Sequence, residues 1–463
     1  MKTFFPRRVG SLIIVLALFA VSSAYAEKPY LNRQTAPDAG VYLPAPPDTA
    51  SVHFATDFLT WQYGKTLRQT PRGEQARQES MWSAEEMMRI FSEALQTPIN
   101  DDTTPAIAHF IRALTATSHY APLAAKEKYM RMRPFARMNE PLGTPFDNEE
   151  ELRHNGSYPS GHTALGWLTA LAMVEVAPEY RDTILCRGFQ YGEDRWIVGA
   201  HWLSDVQAGY LCASATLAKA HTVPQYAADL KAARDEWQQL SSFNSQLSTS
   251  FNFQLSTFNS ILSSSFNFQL STFNFYDDLM GYYEGKAQRQ TAAGEQAIKG
   301  DAKKTEDLMH YFEPAVGIPV SPEKTPALYR LLDYAHERIK AEVGVIKALY
   351  PRTRPYAQFG EPSLLPENEQ TANIHGSFPS AHSARGWGMA LILTELVPDS
   401  ANSILTIGYE YGYNRVIAGY HYLSDVQAAR LVASSTVAQL HTDSAFCQRL
   451  EEAKNEYRKN AKR

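Results

Sequence analysis

The same ordered set of basic residues, histidines and a carboxylate occurs twice in this 463-residue chain, so whatever the chain folds into must be built twice. The first copy reads Lys126-x6-Arg133-Pro134, Pro159-Ser160-Gly161-His162 and Arg195-x5-His201-x3-Asp205. The second reads Lys347-x6-Arg354-Pro355, Pro379-Ser380-Ala381-His382 and Arg415-x5-His421-x3-Asp425. His162 and His382, His201 and His421, and Asp205 and Asp425 are each 220 positions apart, whereas Lys126 and Lys347 are 221 apart. One residue is lost between the parts, in a stretch that reads as loop. The likeness extends outward to Gly64-Lys65 with Arg68-Gln69-Thr70, matched by Gly285-Lys286 with Arg289-Gln290-Thr291. Units of about 180 residues are long enough to bury their own cores. A period this long marks duplicated domains, because solenoid repeats span roughly 20–50 residues.

The repeat sets the boundaries. Residues 55–237 form the first unit and 276–457 the second, with a short basic tail at 458–463. A Pro-rich lead at 27–54 is expected to lie extended over the surface. Residues 238–275 are low in complexity, repeating Phe-Asn-Phe-Gln-Leu-Ser-Thr-Phe-Asn and carrying no charge. They read as a tolerated expansion joining the units, with an adhesive strip as the rival reading. Residues 1–26 read as an export signal: Lys2, Arg7 and Arg8, then the apolar run Leu12 to Val21, then Ala24-Tyr25-Ala26. That run falls short of the roughly 20 residues a membrane span needs. The expected location is therefore periplasmic or secreted, without stable membrane insertion after cleavage.

Composition excludes some partners. The net charge is −5, and no block of like charge suggests nucleic acid. Any affinity for phosphate must come from local cations, not from a global field. The three cysteines, Cys186, Cys212 and Cys447, have no cysteine counterparts in the other unit. Buried thiols are expected, although a Cys186–Cys212 bridge stays open.

Within each unit the periodicity is helical. Leu165, Leu168, Ala172 and Val176 fall on one face, while strand-like alternation is scarce. Each unit therefore reads as a helical bundle. Ser160 is expected near a helix N-cap, where unpaired N–H groups and the positive dipole end make an anion site. A second helix is expected to begin at Ser204, with Ser204-Asp205-Val206-Gln207 as a capping box, repeated at Ser424-Asp425-Val426-Gln427. At a spacing of four, Asp205 can hold one imidazole nitrogen of His201 and leave the other as a nucleophile. A second histidine in the same site can protonate a leaving alkoxide.

These residues resemble the phosphatidic acid phosphatase type 2/haloperoxidase superfamily and, within it, the bacterial class A non-specific acid phosphatases. Gly156-Ser157-Tyr158-Pro159-Ser160-Gly161-His162-Thr163 matches that class's signature octapeptide in full. Gly376-Ser377-Phe378-Pro379-Ser380-Ala381-His382-Ser383 is a close variant. The resemblance implies an all-α fold of two tandem bundles and hydrolysis of small phosphomonoesters, of broad range, through a phosphohistidine. It implies no metal and no cofactor. Carried over by position, His201 and His421 are nucleophiles, Asp205 and Asp425 orient them, and His162 and His382 are general acids. Lys126, Arg133, Ser160, Gly161 and Arg195 hold phosphate in the first unit; Lys347, Arg354, Ser380, Ala381 and Arg415 do so in the second. The two units are expected to pack as an internal pseudo-dimer.

Three departures stand out. Asp194 and Asn414 occupy a position where the family has serine, and Asp194 is expected to pair with Arg195 and weaken the first site. Ala381 replaces a glycine, which matters only if the position needs positive φ. The alternative readings are a vanadium-dependent haloperoxidase, since vanadate mimics phosphate, or one catalytically degenerate unit serving as a scaffold.

Overall fold

A computed structural model describes residues 27–247, 272–302 and 304–460. The export signal at 1–26 and the middle of the low-complexity stretch lie outside the described residues. The principal helices of the first unit are α1 (Val52–Leu67), α2 (Pro105–Ser118), α3 (Gly161–Val176), α4 (Arg181–Ile197), α5 (Leu203–Ala220) and α6 (Pro224–Leu247). Those of the second are α7 (Thr272–Gln288), α8 (Pro326–Leu349), α9 (Ala381–Leu396), α10 (Ala401–Ile417), α11 (Leu423–Leu440) and α12 (Ser444–Asn460). The protein is all-α. Among the described residues the only β-type pairing is an isolated bridge between Arg352 and Gly376. No described helix is long and apolar enough to cross a membrane.

Each unit is organised around one enclosed helix. All of α3 is buried, which explains why its apolar pattern runs around the whole cylinder. In α9 everything from Ser383 to Leu396 is buried. The neighbouring helices approach closely. A Cβ on Gly188 would lie 2.4 Å from that of Ala170, and one on Gly408 would lie 2.4 Å from that of Ala390. Only glycine lets α4 and α10 sit that near the central helices.

The units share an interface built from equivalent parts. α5 and α11 pack on each other, and each also packs on the other unit's central helix. Gln207 and Gln427 exchange two amide hydrogen bonds of 3.0 Å. His221 and His441 stack with ring centroids 3.9 Å apart, and each bonds a glutamate of its own unit, Glu175 or Glu395, at 2.9 Å. Equivalent residues meeting one another is the pattern of a two-fold contact.

Two sequence expectations need correction. The lead is not simply extended: it forms a short helix, Ala39–Tyr42, and buries Tyr30, Leu31 and Tyr42. Its Asp38 N–H donates to Asn402 of the second unit at 2.8 Å, so apolar anchors override the proline signal. The boundaries at 237 and 276 both fall inside helices, α6 and α7, because the Phe/Ser/Asn stretch offers no Gly or Pro to end them. All three cysteines are free, with Cys186 and Cys212 buried and Cys447 half-buried.

Candidate active site

In each unit four chain segments bring the motif residues together. Ser160 caps α3, its hydroxyl accepting from the Thr163 N–H at 3.3 Å, and Ser380 does the same for Ser383 on α9. Gly161 and His162 therefore occupy the first helical turn, where N–H groups have no intrahelical partner. Ala381 sits at the first helical position without positive φ, so its side chain strains nothing there. In the first unit a Cβ at Gly161 would come within 2.7 Å of the Trp82 ring; the sequence counterpart of Trp82 is Lys303.

Arg195 lies in the last turn of α4, and Gly199 follows at φ +80. That left-handed residue folds the chain back so that Ala200 and His201 both donate N–H groups to the Arg195 carbonyl, at 3.0 and 3.1 Å. Gly419, at φ +79, repeats the turn before His421. The pattern R-x5-H is thus a helix C-cap that sets the histidine beside the arginine.

Asp205 is at the third position of α5, and here the capping expectation is half right. The N-cap is Trp202, not Ser204; Asp205 Oδ2 accepts the Trp202 N–H at 2.8 Å. Ser204 is drawn elsewhere, giving its N–H and hydroxyl to Asp57 at 2.8 and 2.7 Å. The other Asp205 oxygen accepts from Arg131 at 2.6 Å, and Arg131 bonds Asp57 at 2.7 Å. Ser157 donates its hydroxyl to Asp205 as well. Arg352, Asp278 and Ser377 repeat all of this around Asp425. Burial alone would raise the Asp205 carboxyl, but Arg131, His201 and Ser157 outweigh it and hold it well below the usual carboxylate range.

His201 is fixed from both sides. Its Nδ1 faces Asp205 Oδ2 at 3.6 Å, an electrostatic contact longer than a hydrogen bond. Its Nε2 lies 2.9 Å from Arg133 Nη1. A guanidinium only donates, so Nε2 carries the lone pair and Nδ1 the proton. His421 has the same relations, 3.6 Å to Asp425 and 3.0 Å to Arg354. Burial first, then the facing arginine, pushes both histidines well below the ordinary imidazole value.

The cations range from half-buried (Lys126, Lys347, Arg354) to enclosed (Arg133, Arg195, Arg415) and are only partly matched. Lys126 donates to the Gly156 carbonyl and Lys347 to that of Gly376. Burial and the neighbouring Arg354 bring Lys347 down to about 7, against the pull of Asp425. Arg195 and Arg415 are almost wholly enclosed. Nε and Nη1 of each find no hydrogen-bond partner among the described residues. Buried donors left unpaired are costly, so this cage is shaped for an anion with several acceptor oxygens.

Asp194 does not pair with Arg195, contrary to expectation. It is buried against Arg72, while Arg195 bonds Asp147 at 2.6 Å. The second unit replaces that buried pair by two neutral residues, since Ala293 is the counterpart of Arg72 and Asn414 of Asp194. The acid beside the arginine also changes origin. Arg415 pairs at 3.1 Å with Asp301, the counterpart of Ser80, whereas Asn368 takes the place of Asp147 and donates to Asp301 at 2.6 Å. Asp147 lies 4.0 Å from His162 and Asp301 lies 3.5 Å from His382. His162 Nε2 meets the Ser80 carbonyl at 3.1 Å, but His382 Nε2 is buried with no hydrogen-bond partner among the described residues. Burial, then Arg195, drives His162 well below its ordinary value, with Asp147 opposing; His382 follows through burial and Arg415.

All the residues expected at the sites are therefore brought together, twice. The sequence reading missed Asp57, Arg131, Asp147 and their functional partners. Asp57 with Arg131, and Asp278 with Arg352, could have been found from their shared spacing of 221. Asp147 left no such trace.

Two stretches of the chain, residues 108–229 and 331–446, match the PAP2 superfamily, one in each unit. The chain is 40% identical over 212 residues to a non-specific acid phosphatase of Providencia stuartii, covering 46% of this chain and 85% of that protein. It is 36% identical over 240 residues to one from Salmonella typhimurium, covering 51% and 94%. An acid phosphatase of Zymomonas mobilis is 33% identical over 226 residues, covering 48% and 85%. About half of this chain thus spans most of each relative, as a duplicated unit would.

Proposed function

This chain belongs to the PAP2 superfamily and is an acid phosphatase, a phosphoric monoester hydrolase; from that premise we propose that it is exported and works through a phosphohistidine at each of two sites. The observation that carries the mechanism is the pairing of a lone-pair Nε2 with an arginine cage whose inner donors are unsatisfied. A phosphate group seated there accepts from Arg195, Arg133, Lys126 and the first N–H groups of α3. His201 Nε2 attacks phosphorus as the ester P–O bond breaks, and His162 gives its proton to the leaving oxygen. Asp205 balances the positive charge that grows on the His201 ring. Water then attacks the phosphohistidine, losing a proton to His162, and His201 departs with its lone pair restored. His421, Asp425 and His382 do the same in the second unit.

The cations already supply the charge stabilisation that a metal would bring, which supports a metal-free reaction. An unliganded His162 held neutral needs the incoming phosphate to raise its proton affinity, so substrate binding arms the acid. Broad substrate range follows from a cage that grips only the phosphate. Export rests on the basic start, apolar run and Ala24-Tyr25-Ala26. The paired glutamines and stacked histidines support an internal pseudo-dimer.

Rapid quench into alkaline denaturant with labelled substrate should trap label on histidine, in a bond that base preserves and acid removes. The label should be absent when His201→Ala and His421→Ala are combined. A labelled double variant, or turnover that a chelator removes, overturns this reading. Scattering from the mature protein that shows two freely moving lobes would remove the pseudo-dimer.

A further inference from the structure

The second unit carries a cleft of about 1010 Å³ against its own active site. Tyr311, Tyr411, Ala293, Ile407 and Ile417 give it an aromatic and apolar lining, and Gln288, Gln296 and the buried Asn414 add polar groups. Lys299, Asp307, His310 and Glu410 edge it as well. Asp301 lines the cleft and also contacts Arg415 and His382, so it stands on the border between cleft and cage.

The first unit has filled the same positions with charge. Arg72, Arg89 and Arg187 stand where the second unit has Ala293, His310 and Ile407. They are tied to Asp194, Glu79, Glu86 and Glu93, with Arg187–Glu79 at 2.5 Å and Arg89–Glu86 at 2.8 Å. Loss of those three arginines is what leaves room in the second unit.

The side of the site on which the cleft opens decides its use. In an in-line displacement the leaving group departs opposite the nucleophile, toward the acid that protonates it. Here that acid is His382, and the cleft begins at Asp301 beside it. The Tyr411 ring lies 6.4 Å from the His382 ring, and Tyr311 meets Tyr411 edge-on at 5.3 Å, so an aromatic surface leads from the acid into the cleft. We propose that this cleft is a leaving-group subsite, and that the second unit favours phosphomonoesters whose leaving group carries a broad planar ring system, while the first unit does not. The inference rests on both units being phosphatases by the mechanism above.

The test uses the full mature chain with one unit silenced at a time. His201→Ala leaves the second unit, and His421→Ala leaves the first. For each, kcat/KM is measured on phenyl phosphate and on naphthyl phosphate, esters of similar leaving ability but different breadth. The naphthyl-to-phenyl ratio should be on the order of tenfold higher in the second unit, expressed in KM. Ile407→Arg, which installs the first unit's residue, should bring the naphthyl-to-phenyl ratio down to that of the first unit; Ala293→Trp tests the same filling should Ile407→Arg fail to fold. Equal ratios in the two units, with phenyl turnover preserved in both, overturn the subsite alone. Loss of all turnover in His201→Ala overturns the subsite and the activity of the second unit together.

Discussion

The two units perform the same local task with an acid drawn from different segments of the chain. Asp147 reaches Arg195 from the loop before α3, while Asp301 reaches Arg415 from the segment that in the first unit supplies Ser80. Asn368, where Asp147 would be, hands a hydrogen bond to Asp301. The arginine's need is for one carboxylate at about 3 Å, and electrostatics does not ask which loop provides it. A similar exchange has occurred behind the site, where the buried Arg72–Asp194 pair became Ala293 and Asn414. Each of these changes is neutral in charge only when both partners move together. Duplication relaxes the sequence and retains the charge balance.

That comparison can be broken most forcefully at the nucleophiles. His201→Ala with His421→Ala should lower turnover by at least about 10⁴-fold without unfolding the chain, whereas either change alone should leave the other unit's share. Phosphate release and a thermal melt on the three variants decide it. A single change that silences both units would mean that the sites are not independent.

The exchanged acids give the next largest effect. With His421 silenced, Asp147→Asn should slow the first unit on the order of a hundredfold, because Arg195 loses its fixed orientation. Adding Ser80→Asp should restore part of the rate by copying the second unit's solution. No rescue in kcat would show that the two loops are not interchangeable.

The buried pair should show in stability. Arg72→Ala leaves Asp194 enclosed and uncompensated, at a cost of about 3–5 kcal/mol, and burial pushes its carboxyl up toward protonation. Arg72→Ala with Asp194→Asn, the second unit's arrangement, should recover most of that loss in a denaturant titration.

The smallest effect is on pH. His162, His201, His382 and His421 are all held below the ordinary imidazole value of about 6.5. As pH falls through that value the unfolded chain takes up protons that the folded sites refuse, so their contribution to stability falls with acid. His441, raised when Glu395 outweighs burial, opposes this by stabilising the fold at low pH. Inorganic phosphate should favour the protonated sites and therefore raise the melting temperature more at pH 5 than at pH 7. A phosphate effect that is flat with pH would deny the coupling.

How much was legible in advance follows from what repeats. The helices, the caps at Ser160 and Ser380, and the residues Lys126, Arg133, His162, Arg195, His201 and Asp205 were readable because each is local or kept at fixed spacing in both units. The start of α5 was misplaced by a residue type: Ser204 has the chemistry of a cap, but Asp57, nearly 150 positions away, claims its hydroxyl. The pairing of Asp194 with Arg195 was wrong for a similar reason. Neighbours along a helix point to different faces, and Arg72 was the nearer partner in space.

By itself the sequence determined two tandem helical units and the phosphatase motif set that each contains, because helical periodicity and ordered motifs are properties of nearby residues. Tertiary structure alone decided which carboxylate serves each arginine, which faces the units share, and where a cleft opens beside His382. Those outcomes depend on side chains from segments far apart in the chain, whose approach is set by packing around α3 and α9 rather than by any spacing a sequence displays.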